Sequence, residues 1–106
     1  MTDHFNQLTP AQAERLAMLA EECAEVIQIV GKILRHGYDS YHPENRTFSN
    51  RDLLHQELTD LFSVQNEIYA QDRILLPNSE TVKAAWDKKL RYAHHQAPDA
   101  GGKGGV

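Results

Sequence analysis

The sequence predicts an all-α fold, a helical bundle of three main helices per chain whose core is completed by oligomerisation. Apolar residues recur at helical spacing in three stretches, and no stretch alternates apolar and polar residues as a half-buried strand does. The 106 residues fit one domain, which we place at residues 1–96. The Gly-rich tail 97–106 is predicted to be disordered.

The first helix is predicted over residues 10–36. Thr9 and Gln12 have the spacing of a capping box, and Gly37 is a typical helix stop. Apolar residues follow the i, i+3, i+4, i+7 pattern through this stretch: Leu16, Leu19, Ala20, Cys23, Val26, Ile27, Val30 and Leu34. Because Cys23 lies among these residues, we expect it to be buried and unreactive.

The second helix is predicted over residues 50–72, with Ser49 or Asn50 as its cap. A third follows the break at Pro77 and is predicted over residues 79–95. A helix of about 27 residues is on the order of 40 Å long, whereas a compact domain of this size has a radius of gyration of about 13 Å. Such helices extend beyond a single-chain core, so we expect a homodimer or homotetramer.

Composition narrows the function classes. The net charge of −4 disfavours a protein that binds nucleic acid by neutralising phosphates. No apolar stretch is long enough to span a bilayer, and the polar N-terminus does not resemble a signal peptide, so we expect no membrane partner. The single cysteine favours a reducing compartment, and the predicted location is cytoplasmic.

Acidic residues on the first two helices are the main functional signal. At about 100° per residue, Glu22 and Glu57 fall inside the apolar sectors of their helices, Asp60 lies at the edge of its sector, and Glu21 points to the polar side. A carboxylate in an apolar stripe costs several kcal/mol unless its charge is compensated, either by Lys or Arg partners or by a bound cation. Carboxylates without paired Glu-x-x-His motifs or Cys/His clusters favour Mg²⁺, with Mn²⁺ as the alternative, and phosphoryl chemistry.

Two segments together resemble a known family. The run Glu21-Glu22-Cys23-Ala24-Glu25, followed by Glu57-Leu58-Thr59-Asp60, is similar to the EExxE…ExxD signature of the MazG-like all-α nucleoside triphosphate pyrophosphohydrolases, and the resemblance covers residues 14–92. The resemblance implies the all-α NTP pyrophosphatase fold. It also implies Mg²⁺-dependent hydrolysis of a nucleoside triphosphate, non-canonical or deoxy substrates included, to monophosphate and pyrophosphate in a house-cleaning role.

The resemblance also implies the roles of individual residues. Four acids would hold the metal: Glu22, Glu25, Glu57 and Asp60. Glu25 would also accept the proton of the attacking water, and Glu21, which matches the first family Glu, would assist catalysis as an orienting residue. Lys32, Arg35 and Lys89 would bind the substrate phosphates.

Candidate contacts for the nucleobase lie in the segment 37–49, which has turn composition and is long enough to be a functional loop. Its aromatic residues are Tyr38, Tyr41, His42 and Phe48. Trp86 shares its helical phase with Val82 and Leu90, so we expect it in the core. The competing hypothesis is a non-catalytic helical oligomer whose acids form salt bridges across the subunit interface.

Overall fold

The computed structural model describes residues 5–96 and is mostly helical, as the apolar periodicity predicts. Its elements in chain order are α1 (Pro10–His36), β1 (Tyr41–His42), β2 (Asn45–Ser49), α2 (Asn50–Gln71) and α3 (Ser79–Leu90). The chain divides between Ile74 and Leu75 into two units, and α3 belongs to the second. The predicted disordered tail lies outside the described residues. No described helix is long and apolar enough to cross a membrane.

Local chemistry sets the ends of α1. The Gln12 backbone N–H donates to Thr9 Oγ1 at 3.1 Å, and the Thr9 N–H donates to Gln12 Oε1 at 2.9 Å, which completes the predicted capping box. At the other end Gly37 takes a φ of 89°, a left-handed value that glycine adopts without a steric penalty. The predicted range 10–36 for this helix is confirmed.

Polar contacts join α1 and α2 at both ends and show that the two helices are antiparallel. Arg15, near the start of α1, forms a salt bridge with Asp72, which follows the last residue of α2. At the opposite end, Asn50 Nδ2 donates to the Gly37 carbonyl at 3.1 Å. Between these two polar contacts, the buried apolar residues of this unit are Ile29, Val64 and Ile68. The core is therefore a narrow strip between two helices.

Two predictions of secondary structure are wrong. Part of the segment 37–49 forms an antiparallel pair in which Tyr41 lies opposite Ser49 and His42 opposite Asn45. In the two strands every residue except Ser49 is exposed, so no apolar alternation marks these strands in the sequence. The last helix ends at Leu90 instead of residue 95, because the chain turns after it.

Two burial predictions are also wrong. Cys23 is exposed, because α2 packs against a different side of α1 from the one that carries this thiol. Trp86 is 49% exposed on α3, where no described residue is buried. Both errors have the same origin: a helical period shows which residues share a face and does not show whether a neighbour covers that face.

Candidate metal centre

Three of the predicted acids converge where α1 and α2 face each other. Glu22 and Glu25 are one turn apart on α1, and Glu57 approaches from α2. One carboxylate oxygen from each residue lies within 4.8 Å of the other two. Because the three residues come from two helices, the cluster depends on the antiparallel packing of α1 against α2.

Two oxygens of the cluster are buried without a hydrogen-bond partner: Oε1 of Glu22 and Oε1 of Glu57. Burial raises the pKa of both carboxyl groups above the ordinary value, and the neighbouring charges of Glu25 and Asp60 raise both pKa values further. The cluster therefore holds more negative charge than its surroundings compensate.

The remaining predicted acids lie around the three-residue cluster. Asp60 is exposed and one turn after Glu57, and its charge reaches both Glu22 and Glu57. Glu21 is exposed, on the polar side of α1 as its helical phase predicts, and its charge also acts on Glu22. The structure thus brings Glu22, Glu25 and Glu57 together and leaves the other two acids at the periphery.

The donor set fits a hard divalent cation. Carboxylate oxygens are the ligands that Mg²⁺ and Mn²⁺ prefer, and a few of them with water in the other positions is the usual protein site for Mg²⁺. The two buried oxygens without partners are the atoms that such an ion would satisfy. Within residues 5–96, no ion pair involves Glu22, Glu25 or Glu57.

A pocket of about 290 Å³ lies beside the β1–β2 hairpin, at the end of the helix pair where α1 ends and α2 begins. It is lined by Lys32, Arg35, His36, Ser40, Tyr41, His42, Pro43, Asn50 and Leu53. Two of the three predicted substrate-binding cations, Lys32 and Arg35, are therefore in one pocket with the predicted base contacts Tyr41 and His42. The other two aromatic candidates, Tyr38 and Phe48, do not line it.

Helix geometry relates this pocket to the acid cluster. Lys32 follows Glu25 by seven residues, so it lies on the same side of α1 and about 10 Å further along it. Asn50 precedes Glu57 by seven residues on α2, which runs the opposite way, and is displaced in the same direction. The acids and the pocket therefore occupy neighbouring positions along one side of the helix pair.

The pocket wall is attached to the start of α2 by backbone hydrogen bonds. The N–H groups of Asn50 and Arg51 donate to the carbonyls of Ser40 and Tyr38, at 2.9 and 2.7 Å. The Arg51 guanidinium lies 4.5 Å from the centre of the Tyr38 ring and pairs with Asp39. These contacts hold the chain from residue 38 to residue 40 in place, and this segment leads into the lining residues of β1.

Sequence reasoning missed the pocket role of Asn50, which it treated only as a helix cap. Its Nδ2 donates to the Gly37 carbonyl, and no described residue donates to its Oδ1, which is left as an acceptor. His42 Nδ1 accepts the Glu44 backbone N–H at 3.1 Å, so neutral His42 carries its proton on Nε2 as a donor. The sequence signal for this position was the seven-residue spacing between Asn50 and Glu57, which places both residues on the same side of α2.

Lys89, the third predicted substrate-binding cation, lies on α3 in the second unit. There it borders a shallow apolar groove with Pro77, Thr81, Val82, Ala85 and Trp86. The other residues that line this groove are uncharged, and no salt bridge among the described residues involves Lys89. Its assignment to the substrate remains a prediction.

Comparisons with known proteins do not assign this chain to a family. No family model matches the sequence, and no curated protein or solved structure matches it significantly.

Proposed function

We propose that this protein is a divalent-metal-dependent hydrolase of nucleoside triphosphates that releases a monophosphate and pyrophosphate. The observation that carries the proposal is the convergence of Glu22, Glu25 and Glu57, with a buried unpartnered oxygen on two of them. The resemblance of the two acidic segments to the MazG-like signature supports the reaction type. Membership of that family is part of the proposal.

In this proposal Glu22, Glu25 and Glu57 hold Mg²⁺, and Asp60 completes the set from the exposed end of the cluster. Held by these acids, Mg²⁺ would supply charge neutralisation at the phosphates and would make the attacking water more acidic. Glu25 accepts the proton of the attacking water. Glu21, on the outer side of α1, orients its neighbours in the cluster.

The adjacent pocket gives the substrate its second point of attachment. Lys32 and Arg35 carry positive charge, and the His42 imidazole offers an Nε2–H donor, so the pocket binds anionic oxygens. Tyr41 offers a ring face for a base. A nucleoside triphosphate carries phosphates and a base in one molecule, and it is long enough to contact both the acids and the pocket. Lys89 is the third phosphate-binding cation of the proposal.

The proposal also includes a homodimer or homotetramer in the cytoplasm. The competing function, a non-catalytic helical oligomer, requires Lys or Arg partners for the acids. Among the described residues such pairs go to Asp72, Asp39 and Asp87 and not to the cluster. The competing hypothesis therefore depends on cations supplied by another subunit.

A panel of canonical and modified nucleoside triphosphates, incubated with the protein and Mg²⁺ or Mn²⁺, tests the proposal. We expect monophosphate and pyrophosphate in equal amounts, and no product without metal. Glu57→Gln, which keeps the shape of the side chain and removes a ligand charge, should reduce kcat at least about 100-fold. Glu67→Gln on the exposed side of α2 is the matched control.

Full activity in Glu57→Gln would contradict the assignment of the cluster. Release of orthophosphate in place of pyrophosphate would contradict the reaction type while leaving the metal site intact. No hydrolysis of any triphosphate by folded, metal-loaded protein would favour the non-catalytic oligomer.

A further inference from the structure

Asn50 is a buried polar residue with no role in the chemistry proposed for the acids. It is the first residue of α2, only 6% of its surface is exposed, and it lines the pocket beside the β1–β2 hairpin. A buried amide needs partners for both its nitrogen and its oxygen, from the protein, from solvent or from a ligand. The two ends of this amide differ in that respect, and the difference limits what binds next to it.

The Asn50 amide is held in one orientation. Its Nδ2 donates to the Gly37 carbonyl at 3.1 Å, and because a carbonyl oxygen only accepts, a flipped amide would lose this bond. The backbone N–H of Asn50 donates to the Ser40 carbonyl at 2.9 Å, which holds the main chain at the same place. The position of Oδ1 is therefore fixed relative to the pocket wall.

The Asn50 oxygen is open to the pocket. No described residue donates to Oδ1, yet the buried side-chain oxygens without a partner in residues 5–96 are those of Glu22 and Glu57. Solvent therefore reaches Oδ1 although the residue as a whole is buried. Because Asn50 lines the pocket, the pocket is the space from which that contact comes. A ligand in the pocket meets an acceptor oxygen that requires a donor.

The charged groups of the pocket are donors. Lys32 and Arg35 carry only N–H groups, and His42 presents Nε2 because its Nδ1 accepts a backbone N–H. The other polar side chains of the lining can donate or accept, so they do not discriminate between ligands. The volume of about 290 Å³ is near the lower end of the range for small-molecule sites, about 300–1,000 Å³, and suits a single base.

We infer that Asn50 is a specificity-determining residue whose Oδ1 accepts a hydrogen bond from an exocyclic amino group of the substrate base. The inference rests on the proposed function and narrows the substrates to triphosphates of bases that carry such a group, namely cytosine, adenine and guanine. The acceptor atoms of the same base face the donors Lys32, Arg35 and His42. Asn50 thus selects the base, while the acids act on the phosphates.

Bases without an amino group fit this arrangement poorly. A free asparagine amide contacts a base through its oxygen and its nitrogen together. The N3–H of uracil or thymine lies between two carbonyl oxygens and requires such a double contact, but the nitrogen of Asn50 is already bonded to Gly37. Oδ1 alone would lie close to a carbonyl oxygen of the base with no donor between them, which is unfavourable. The same holds for hypoxanthine, whose N1–H adjoins a carbonyl.

Pairs of substrates that differ in one amino group test the inference. The pairs are CTP and UTP, GTP and ITP, and ATP and the triphosphate of purine riboside, which lacks the amino group. In each pair that the protein hydrolyses, we expect kcat/KM to be about tenfold higher for the amino member, the effect of one hydrogen bond. Asn50→Ala should bring each ratio close to one. Asn66→Ala, at an exposed position of the same helix, is the matched control and should keep the wild-type ratios.

Asn50→Asp separates base recognition from the structural contact with Gly37. The carboxylate keeps an acceptor oxygen and has no N–H for the Gly37 carbonyl, so the preference should persist even in a less stable variant. Loss of the preference in Asn50→Asp would assign Asn50 a structural role and overturn the inference. If Asn50→Ala loses helix content in circular dichroism, Asn50→Ser, which suits a helix start and has a shorter side chain, repeats the test.

Binding measurements distinguish this inference from the proposed function. Analogues of the same pairs with a methylene bridge between the α and β phosphorus atoms cannot be cleaved there, and calorimetry with Mg²⁺ gives their dissociation constants. Tighter binding of the amino members without hydrolysis of any triphosphate would support the inference and contradict the reaction. Hydrolysis without a preference within any pair would overturn the inference alone. Equal dissociation constants within every pair, or no binding of any analogue, would also overturn the inference.

Discussion

Arg15 and Asp72 form a bidentate pair that joins the first turns of α1 to the end of α2. Arg15 Nε donates to Asp72 Oδ2 at 3.0 Å, and Nη2 donates to Oδ1 at 2.6 Å. Both side chains are mostly shielded from solvent, with 18% and 12% of their surface exposed. Together with the Asn50–Gly37 contact at the other end, this pair fixes the relative position of the two helices that carry the acid cluster.

Removing this clamp should destabilise the fold. Arg15→Gln leaves the Asp72 carboxylate shielded without its partner, so we expect the thermal midpoint to fall by several degrees. Lys83→Gln breaks an exposed pair one turn apart on α3 and should change the midpoint little. Equal midpoints for wild type and Arg15→Gln would show that the clamp contributes nothing to stability.

The Arg15–Asp72 pair also affects how the free energy of unfolding changes at acid pH. The Arg15 guanidinium holds the pKa of Asp72 below its ordinary value, so the folded state binds fewer protons there than the unfolded state. This stability is present above the unfolded pKa of about 3.8 and is lost as the pH falls through the lower folded value. Arg15→Gln should therefore lose less stability than the wild type on acidification below pH 4 in denaturant titrations.

The acid cluster should act in the opposite direction in metal-free protein. The pKa values of Glu22 and Glu57 are raised above 4.5, so the folded state binds more protons there than the unfolded state. This contribution is complete below pH 4.5 and is lost as the pH rises through the raised values. With chelator present, we expect stability to decline above pH 4.5 in the wild type and less steeply in Glu57→Gln. Identical slopes would contradict the raised pKa values.

The left-handed backbone at Gly37 offers a test of the turn that leads into the pocket. Nothing lies within 4 Å of an added Cβ, so Gly37→Ala meets no steric clash, but its φ of 89° disfavours any residue with a Cβ. We expect a loss on the order of 1 kcal/mol in the free energy of unfolding. Ala in place of Gly31, where the backbone is helical, should not destabilise the isolated chain. A Gly37→Ala variant as stable as the wild type would show that this φ carries no penalty for a residue with a Cβ.

Lys32 should contribute to substrate affinity more than to the chemical step. It lines the pocket and lies two helical turns from Glu25, so Lys32→Ala should raise KM for the triphosphate about tenfold with a smaller effect on kcat. Arg46→Ala removes an exposed cation of β2 that does not line the pocket, and it serves as the control. A KM change of the same size in both variants would indicate a general charge effect.

Capping residues and helical phase carried most of what could be predicted of the fold. Thr9 and Ser49, each with a capping partner three residues later, mark helix starts that local hydrogen bonds fix whatever the tertiary structure. Helical phase also predicted that Glu22 and Glu57 lie on the apolar sides of their helices, because the backbone of an α-helix sets a rotation of about 100° per residue. The convergence of these acids could therefore be predicted from the sequence alone.

The errors concern features that depend on neighbours. The strands Tyr41–His42 and Asn45–Ser49 are short and exposed, so they bear no apolar alternation. Cys23 shares an apolar face with Ile27, and its exposure depends on which side of α1 meets α2. Asn50 was predictable as a cap residue, but its place in the pocket depends on the hairpin folding back onto α2.

Binding of Mn²⁺ by metal-free protein, followed by calorimetry and by the thermal midpoint, tests the central claim most directly. We expect one saturable site or more in the wild type and in the Glu67→Gln control, with a midpoint that rises with metal concentration. Glu57→Gln should bind at least tenfold more weakly and show little rise. No binding by folded wild-type protein, or equal binding by all three proteins, would contradict the claim that Glu22, Glu25 and Glu57 converge to hold a divalent cation.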